Sequence, residues 1–317
     1  VPIIFGKAPG KIILLGEHAV VYGQPALAVP VTKVNATARV IPDIGGKPGR
    51  VHLQASDIDL EADLSNLLPD HPLALAVSRT LEILSPNHIP PITLQISSTI
   101  PISAGMGSSA AVTIAVIRAL SSFFGLPMRP AEISDLAYEV EKVHHGTPSG
   151  IDNNVIAHQK PVFFKQDQPL EYLLIKSPTH WIIADTGEKT PTRETVSAVR
   201  ALHSTDRDLY GSLFNQIGDI VEKARSALIH GDTSALGWLM NENQRLLEKL
   251  NVNSPSLDHL IKAAREAGAF GAKLSGGGRG GNMIALIDPK ETKRIAQALM
   301  DAGAYRTITT PLIPGDK

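Results

Sequence analysis

The sequence predicts an α+β fold built as two domains, and three observations carry that prediction. The length, 317 residues, is about two ordinary domains and leaves ample chain for a large core. Short apolar strand patterns, antiparallel hairpins among them, interleave with helical periodicity along the chain, which separates it from a doubly wound parallel sheet. Hydrophobic residues make up 43% and charged residues 19%, which excludes both disorder and a coiled-coil rod. The domain division is expected as 1–175 and 176–317, because polar and Pro residues accumulate near 160–185.

Strands are predicted at Ile12–Leu15, Ala19–Tyr22 and Ala26–Val31, three apolar runs separated by Gly and Pro. Val34–Ile41 and Arg50–Gln54 follow as strands, then a helix near 72–84 and a strand at Ile92–Ser97. The apolar stretch 108–124 is long enough for a helix. Residues 131–145 place Ile133, Leu136, Ala137, Val140 and Val143 on one helical face, with Pro130 at the start and Gly146 past the end. In the second half, strands are predicted at Val162–Lys165, Tyr172–Ile175 and Trp181–Ala184, and helical patterns run from 191 to 249. The chain closes as helix 257–267, strand, Gly-rich turn, strand Met283–Ile287, helix 290–302 and strand Tyr305–Leu312.

Charge and composition remove several functions. Lys plus Arg is 30 against 31 for Asp plus Glu, a net charge of −1, so no global field draws nucleic acid or an anionic membrane. The absence of cysteine excludes disulfides, thiolate catalysis and Cys-ligated zinc. No apolar stretch approaches the roughly 20 residues of a membrane span; Lys11, Glu17 and His18 break the first run, and Arg118 ends the one from Ala110. The cytoplasm is the expected compartment, and a homodimer is the base-rate expectation.

Three glycine-rich segments concentrate the chemistry. The first, Lys7-Ala8-Pro9-Gly10-Lys11, precedes Gly16-Glu17-His18 and misses the P-loop spacing. The ordinary alternative is an edge turn with two solvated lysines, but Glu17 and His18 within an apolar hairpin need partners or a ligand. The second runs Pro101-Ile102-Ser103-Ala104-Gly105-Met106-Gly107-Ser108-Ser109-Ala110 into a helix. Glycines admit close approach and a helix start offers unpaired N–H groups, a combination suited to phosphates. Ser108 and Ser109 can cap the helix or ligate Mg²⁺. Gly105 to Ala110 also matches the dinucleotide fingerprint G-x-G-x-x-A, without the strand that should run directly into it. The third, Ser275-Gly276-Gly277-Gly278-Arg279-Gly280-Gly281, carries more glycine than a hairpin needs, so something bulky is expected against it.

Two carboxylates complete the pattern. Glu141 sits at the edge of the buried face of helix 131–145, and Asp152 follows the turn Gly146 to Gly150. Alone, each has an ordinary explanation, a solvated flank for Glu141 and a capping partner of Ser149 for Asp152. Beside a phosphate loop they divide the work: one holds Mg²⁺, the other addresses the nucleophile. His144 and His145 point about 100° apart on a helix and are read as structural or second to the ligands.

These segments, in this order, resemble the GHMP kinase superfamily. Lys7 through Gly10-Lys11, the run Gly16-Glu17-His18-Ala19-Val20-Val21-Tyr22-Gly23, Glu141 through Asp152-Asn153, and Asp185-Thr186-Gly187 with Thr192-Arg193-Glu194 look most like its mevalonate kinase branch. Galactokinases differ at the first segment. Arg279 departs from the all-glycine third loop of many of these kinases and is expected to touch phosphate or solvent.

The resemblance implies a ribosomal protein S5 domain 2-like N-terminal part and a ferredoxin-like C-terminal part. It implies ATP phosphates on 104–110, with Pro101, Ser103, Gly277 and Gly278 also at the nucleotide. Ser108 or Ser109 and Glu141 would hold Mg²⁺. Asp152 would address the C5 hydroxyl of mevalonate, with Lys11 stabilising charge beside it. Glu17, His18 and Thr186 would bind the hydroxyl and carboxylate end. Other readings stay open: a mevalonate 3-kinase, a phosphomevalonate or sugar kinase, a non-catalytic ligand sensor, or a nicotinamide enzyme.

Overall fold

The computed structural model describes residues 3–101, 105–145, 148–188 and 190–314, and for His144 and His145 the backbone alone. Ser103 and Ala104 of the second glycine segment, and the side chains of the two histidines, therefore lie outside the described residues.

The chain forms two compact units. The first takes the chain up to Lys11, Val34–Pro101 and Met106–Gln159; the second takes Ile12–Lys33, a short piece ending at Gly105, and the chain from Lys160. The expected single division at 175 differs from this one. Strands β1 (Ile4–Leu15) and β2 (Ala26–Pro42) are each unbroken, and each contributes residues to both units. The two strands expected at 26–31 and 34–41 are thus one, since exposed Thr32 and Lys33 do not interrupt it. Ala19–Tyr22, expected as a strand, is a 3-10 turn. A four-residue apolar run is too short for periodicity to separate the two.

In the first unit, β3 (Val51–Ala55), β4 (Leu60–Asp63) and β5 (Ile92–Ser98) join β2 in the order β4-β3-β5-β2. Strand β5 runs parallel to β3 and antiparallel to β2, with Ala36 opposite Ser98. Helices α1 (Pro72–Leu84), α3 (Pro130–His145) and α4 (Ile151–His158) pack around α2 (Ser108–Phe123). The sequence reading had no counterpart for β4 or α4. Helix α2 reads as a central helix should, apolar on nearly every side. Its alanines at 111, 115 and 119, four apart, are fully buried and form a smooth stripe. Strand β1 uses that stripe: a Cβ on Gly6 would fall 2.0 Å from the Ala115 carbonyl oxygen and 2.5 Å from the Ala119 nitrogen.

The second unit holds β6 (Val162–Phe164) and the two-residue β7 (Glu171–Tyr172), shorter than the strand expected there, with Ala26–Ala28 of β2. Its separate sheet has the order β11-β8-β10-β9 and is antiparallel throughout. The strands are β8 (Thr179–Asp185), β9 (Gly271–Ser275), β10 (Asn282–Ile287) and β11 (Arg306–Leu312). With α8 (Pro255–Glu266) and α9 (Thr292–Asp301) on the crossovers, this is the expected ferredoxin-like arrangement. Helices α5 (Thr192–Thr205), α6 (Arg207–His230) and α7 (Thr233–Lys249) intervene between β8 and α8. Asp206, Asp232 and Ser254 accept first-turn N–H bonds as caps of α6, α7 and α8. No described helix is long and apolar enough to cross a membrane.

The β1–α2 contact is testable. Gly6→Ala forces backbone against backbone and should lower stability by about 1–3 kcal/mol. The measurement is the urea midpoint at unchanged slope; a native midpoint would show that β1 does not lie on the alanine stripe.

Candidate active site

In the first unit, the second glycine segment delivers the chain to α2. Gly107 takes a left-handed φ of 69° and serves as the N-cap, so neither Ser108 nor Ser109 takes the capping role open to them from the sequence. The first bond of the helical ladder runs from Ala111 N–H to the Gly107 carbonyl, so the amides of Ser108, Ser109 and Ala110 have no partner in the helix. Lys11 on β1 is bound at its backbone, where its N–H donates to the Met106 carbonyl at 3.0 Å. Its ammonium lies 2.9 Å from Asp152 Oδ1, with the lysine side chain 7% and the aspartate 35% exposed. A Cβ on Gly107 would meet Lys11 Cγ at 3.0 Å and Asp152 Oδ2 at 3.4 Å. Helix start, lysine and aspartate thus form one cluster.

Asp152 owes its place to α4. Gly150 is the N-cap, so Asp152 stands in the first turn and is not the capping partner of Ser149. Its neighbour Asn153 is buried and donates to the Ser134 carbonyl and hydroxyl, fastening α4 to α3. Glu141, also on α3, is buried and accepts from Ser109 Oγ at 2.6 Å. Pro101 is buried, Met106 is buried, and Gly105 has a left-handed φ of 68°.

The second unit holds a different cluster. Glu17 and His18 do not face solvent; both are buried. Lys273 on β9, fully buried, donates to Glu17 Oε1 and to the Leu274 carbonyl. Burial raises the Glu17 pKa and Lys273 pulls it back; burial lowers the Lys273 pKa and Glu17 pulls it back. His18 has φ 62° and ψ −46°, and Ala19 N–H donates to the Glu17 carbonyl at 2.7 Å, which closes a γ-turn. That conformation is strained by about 1–3 kcal/mol for a residue with a side chain. The ring is held at 3.0 Å from the Gly277 carbonyl by Nε2. Burial depresses its pKa to about 4, with Lys273 and Arg279 adding to the effect. A carbonyl only accepts, so Nε2 carries the proton of the neutral ring and Nδ1 is a bare acceptor. Neither Nδ1 nor Glu17 Oε2 has a partner among the described residues.

The third glycine loop is shaped by the chain itself. A Cβ on Gly278, at φ 76°, would fall 2.0 Å from the Val252 carbonyl oxygen. Arg279 donates its backbone N–H to Val252 and its Nε to the Asn251 carbonyl, so it anchors the loop to the end of α7. The bulk expected against these glycines includes the protein's own backbone. Thr186 donates its hydroxyl to the Gly281 carbonyl at 3.0 Å and accepts from Glu188 N–H at 3.2 Å, which leaves one lone pair for a ligand.

Comparison with known proteins settles the family. The model of the GHMP kinases N terminal domain matches residues 73–159, and that of the GHMP kinases C terminal matches 224–304. The mevalonate kinase of Thermococcus sibiricus is 34% identical, across 96% of this chain and 95% of its own length. The chain belongs to the GHMP kinases.

Two solved GHMP kinases extend the likeness to the fold. The Methanococcus jannaschii mevalonate kinase superposes with a TM-score of 0.84 at 27% identity, covering 99% of each chain. The L. major mevalonate kinase, solved in complex with R-mevalonate, gives 0.84 at 26%, covering 100% of this chain and 97% of that one. As a GHMP kinase the chain is an ATP-using enzyme of the small-molecule kinase class. The nicotinamide reading falls with it: β5 ends at Ser98, well short of Gly105, and pairs antiparallel with β2.

Lys273 had no role in the sequence reading. Its signal was available, a lone charge in an apolar strand that ends in a glycine loop. Lys273→Met leaves the Glu17 carboxyl buried without its partner and should cost about 3–5 kcal/mol in urea unfolding, most of it recovered when Glu17→Met is added. The buried neutral His18 gives a pH signature. The unfolded chain protonates this residue near 6.5 and the folded chain only near 4, so its contribution to stability falls as pH drops through that window. The limiting slope is about 1.4 kcal/mol per pH unit. Equilibrium unfolding at pH 4.5 and 7 should show this slope in the native chain and its loss in His18→Asn.

Proposed function

We propose that this GHMP kinase transfers the γ-phosphoryl group of ATP to the C5 hydroxyl of (R)-mevalonate, giving 5-phosphomevalonate and ADP for isoprenoid precursor synthesis. The observation that carries the reading is the Lys11–Asp152 pair set against Gly107 at the start of α2. It occurs in a chain whose full-length relatives are named mevalonate kinase.

The chemistry follows from the cluster. The amides of Ser108, Ser109 and Ala110 and the dipole of α2 favour the nucleotide's phosphates. The half-exposed Asp152 carboxylate takes the proton of the substrate hydroxyl as its oxygen bonds to the γ-phosphorus. The bond from that phosphorus to the bridging oxygen breaks, and ADP leaves. The Lys11 ammonium, paired with Asp152 and carried on a backbone whose N–H donates to the Met106 carbonyl, offsets charge on the transferring group. Because the transition state is loose, placement and charge supply most of the rate.

A magnesium ion fits this donor set. Ser109 Oγ and Glu141 Oε1 are hard oxygens 2.6 Å apart on the first turn of α2 and on α3. They would hold the ion, with Ser108 the next hydroxyl along, and the ion would neutralise phosphate charge. In the second unit, Glu17 and His18 each offer a buried acceptor, which suits a substrate hydroxyl donor, and Thr186 offers one lone pair. Gly277 and Gly278 are assigned to the nucleotide on the resemblance alone.

A second kinase reading remains to be separated by chemistry, since the galactokinase likeness, at 19% identity, concerns the fold. ADP release should be fastest with mevalonate among mevalonate, phosphomevalonate, galactose and homoserine, and ¹³C and ³¹P NMR should place the new ester at C5. Asp152→Ala should lose about 10³-fold or more in kcat while calorimetry still detects ATP binding. Near-native turnover in that variant removes Asp152 from the mechanism.

A further inference from the structure

Arg118 is the only charged residue within the Ser108–Phe123 helix. It is half-buried, and among the described residues no carboxylate offsets its partial desolvation. Its guanidinium instead bonds to two backbone carbonyls. Nη1 donates to Lys7 and Nη2 donates to Ala157 at 2.7 Å.

The positions of those carbonyls matter. Lys7 lies on β1, four residues before Lys11, and Ala157 lies in the last turn of α4, five residues after Asp152. Helix α2 itself begins at Ser108. One planar side chain therefore joins the strand that carries the lysine, the helix that carries the aspartate and the helix that receives the phosphates. Each bond has a physical reason. The Ala157 carbonyl is among the last four of α4, which have no partner in the helix and carry its partial negative charge. The guanidinium fork holds its two N–H directions at a fixed angle, which a lysine cannot do. Helix α4 has eight residues, five of them buried; beyond that packing, Asn153 near its start bonds to α3, and Arg118 of α2 bonds to its last turn.

We propose that Arg118 is a positioning residue for phosphoryl transfer, its guanidinium fixing β1 and α4 against α2 and so setting Lys11 relative to Asp152. The proposal rests on the catalytic reading of that pair given above. Misplacement of reacting groups by about 1 Å costs on the order of 100-fold in rate, so the expected loss is in kcat and not in substrate affinity.

The test is a double-mutant cycle. Steady-state kinetics and thermal unfolding are measured for the native chain, Arg118→Met, Lys11→Met and the double variant. Arg118→Met should lower kcat by about 10–100-fold with both KM values within about 3-fold. In the Lys11→Met background the same substitution should lower kcat by less than about 3-fold, because the group it positions is gone. An equal loss in both backgrounds, or native kcat in Arg118→Met, overturns the proposal. Native turnover in Lys11→Met alone overturns the catalytic reading beneath it, and the two failures are separately visible. Should Arg118→Met not fold, Arg118→Lys, which keeps the stem and charge but loses the fork, carries the same comparison.

Discussion

A lysine ammonium held almost out of water against a half-exposed carboxylate is the constraint around which the first unit is built. Lys11 and Asp152 come from elements far apart in sequence, and neither could keep its geometry unaided. A flexible lysine stem loses up to about 2 kcal/mol of rotamer freedom when it is fixed. The loss is met locally: the Lys11 backbone is bonded to Met106, and Gly107 fits against its Cγ. Helix α4 is pinned at both ends, by Asn153 and by Arg118. Even the alanine stripe of α2 serves this end, since it admits β1 at the distance that carries Lys11 to the helix start.

The second unit solves a related problem by different means. His18 sits in a backbone conformation that few residues adopt willingly, and its side chain is buried. The bond from Nε2 to Gly277 and the neighbouring Glu17–Lys273 pair hold it there. Such a pair is weak evidence for net stability, because desolvating both charges offsets most of their attraction. It is better understood as a device that fixes one arrangement among several. Two acceptors without partners among the described residues, Glu17 Oε2 and His18 Nδ1, are the cost of that arrangement.

Much of this could be read from the chain alone, for identifiable reasons. Long periodic segments announced themselves: α1, α2 and α3 fall within a residue or two of expectation. The strands of the second unit's antiparallel sheet were also legible one by one, being separated by helices and glycines, while their ferredoxin-like order was implied by the resemblance. Short elements were not. The eight residues of α4 offer barely two turns of periodicity, although they carry Asp152. The run Ala19–Tyr22 is apolar and curls because His18 takes a positive φ, which composition does not reveal. Pairings between distant residues were also hidden. Lys273 with Glu17, and Arg118 with two carbonyls, depend on where the strands and helices dock. In each case only an ill-placed charge in an apolar stretch hinted at them. The bonds by which the Thr186 hydroxyl ties Gly281 to Glu188 were likewise hidden in the sequence.

Gly107 carries one more implication. Its φ is left-handed, and the space where a side chain would grow is already taken by Ile156, Lys11 and Asp152. Every missense change at this codon would therefore both distort the turn and press on the pair beneath it. The turn and the reacting groups thus cannot be altered one at a time through this residue.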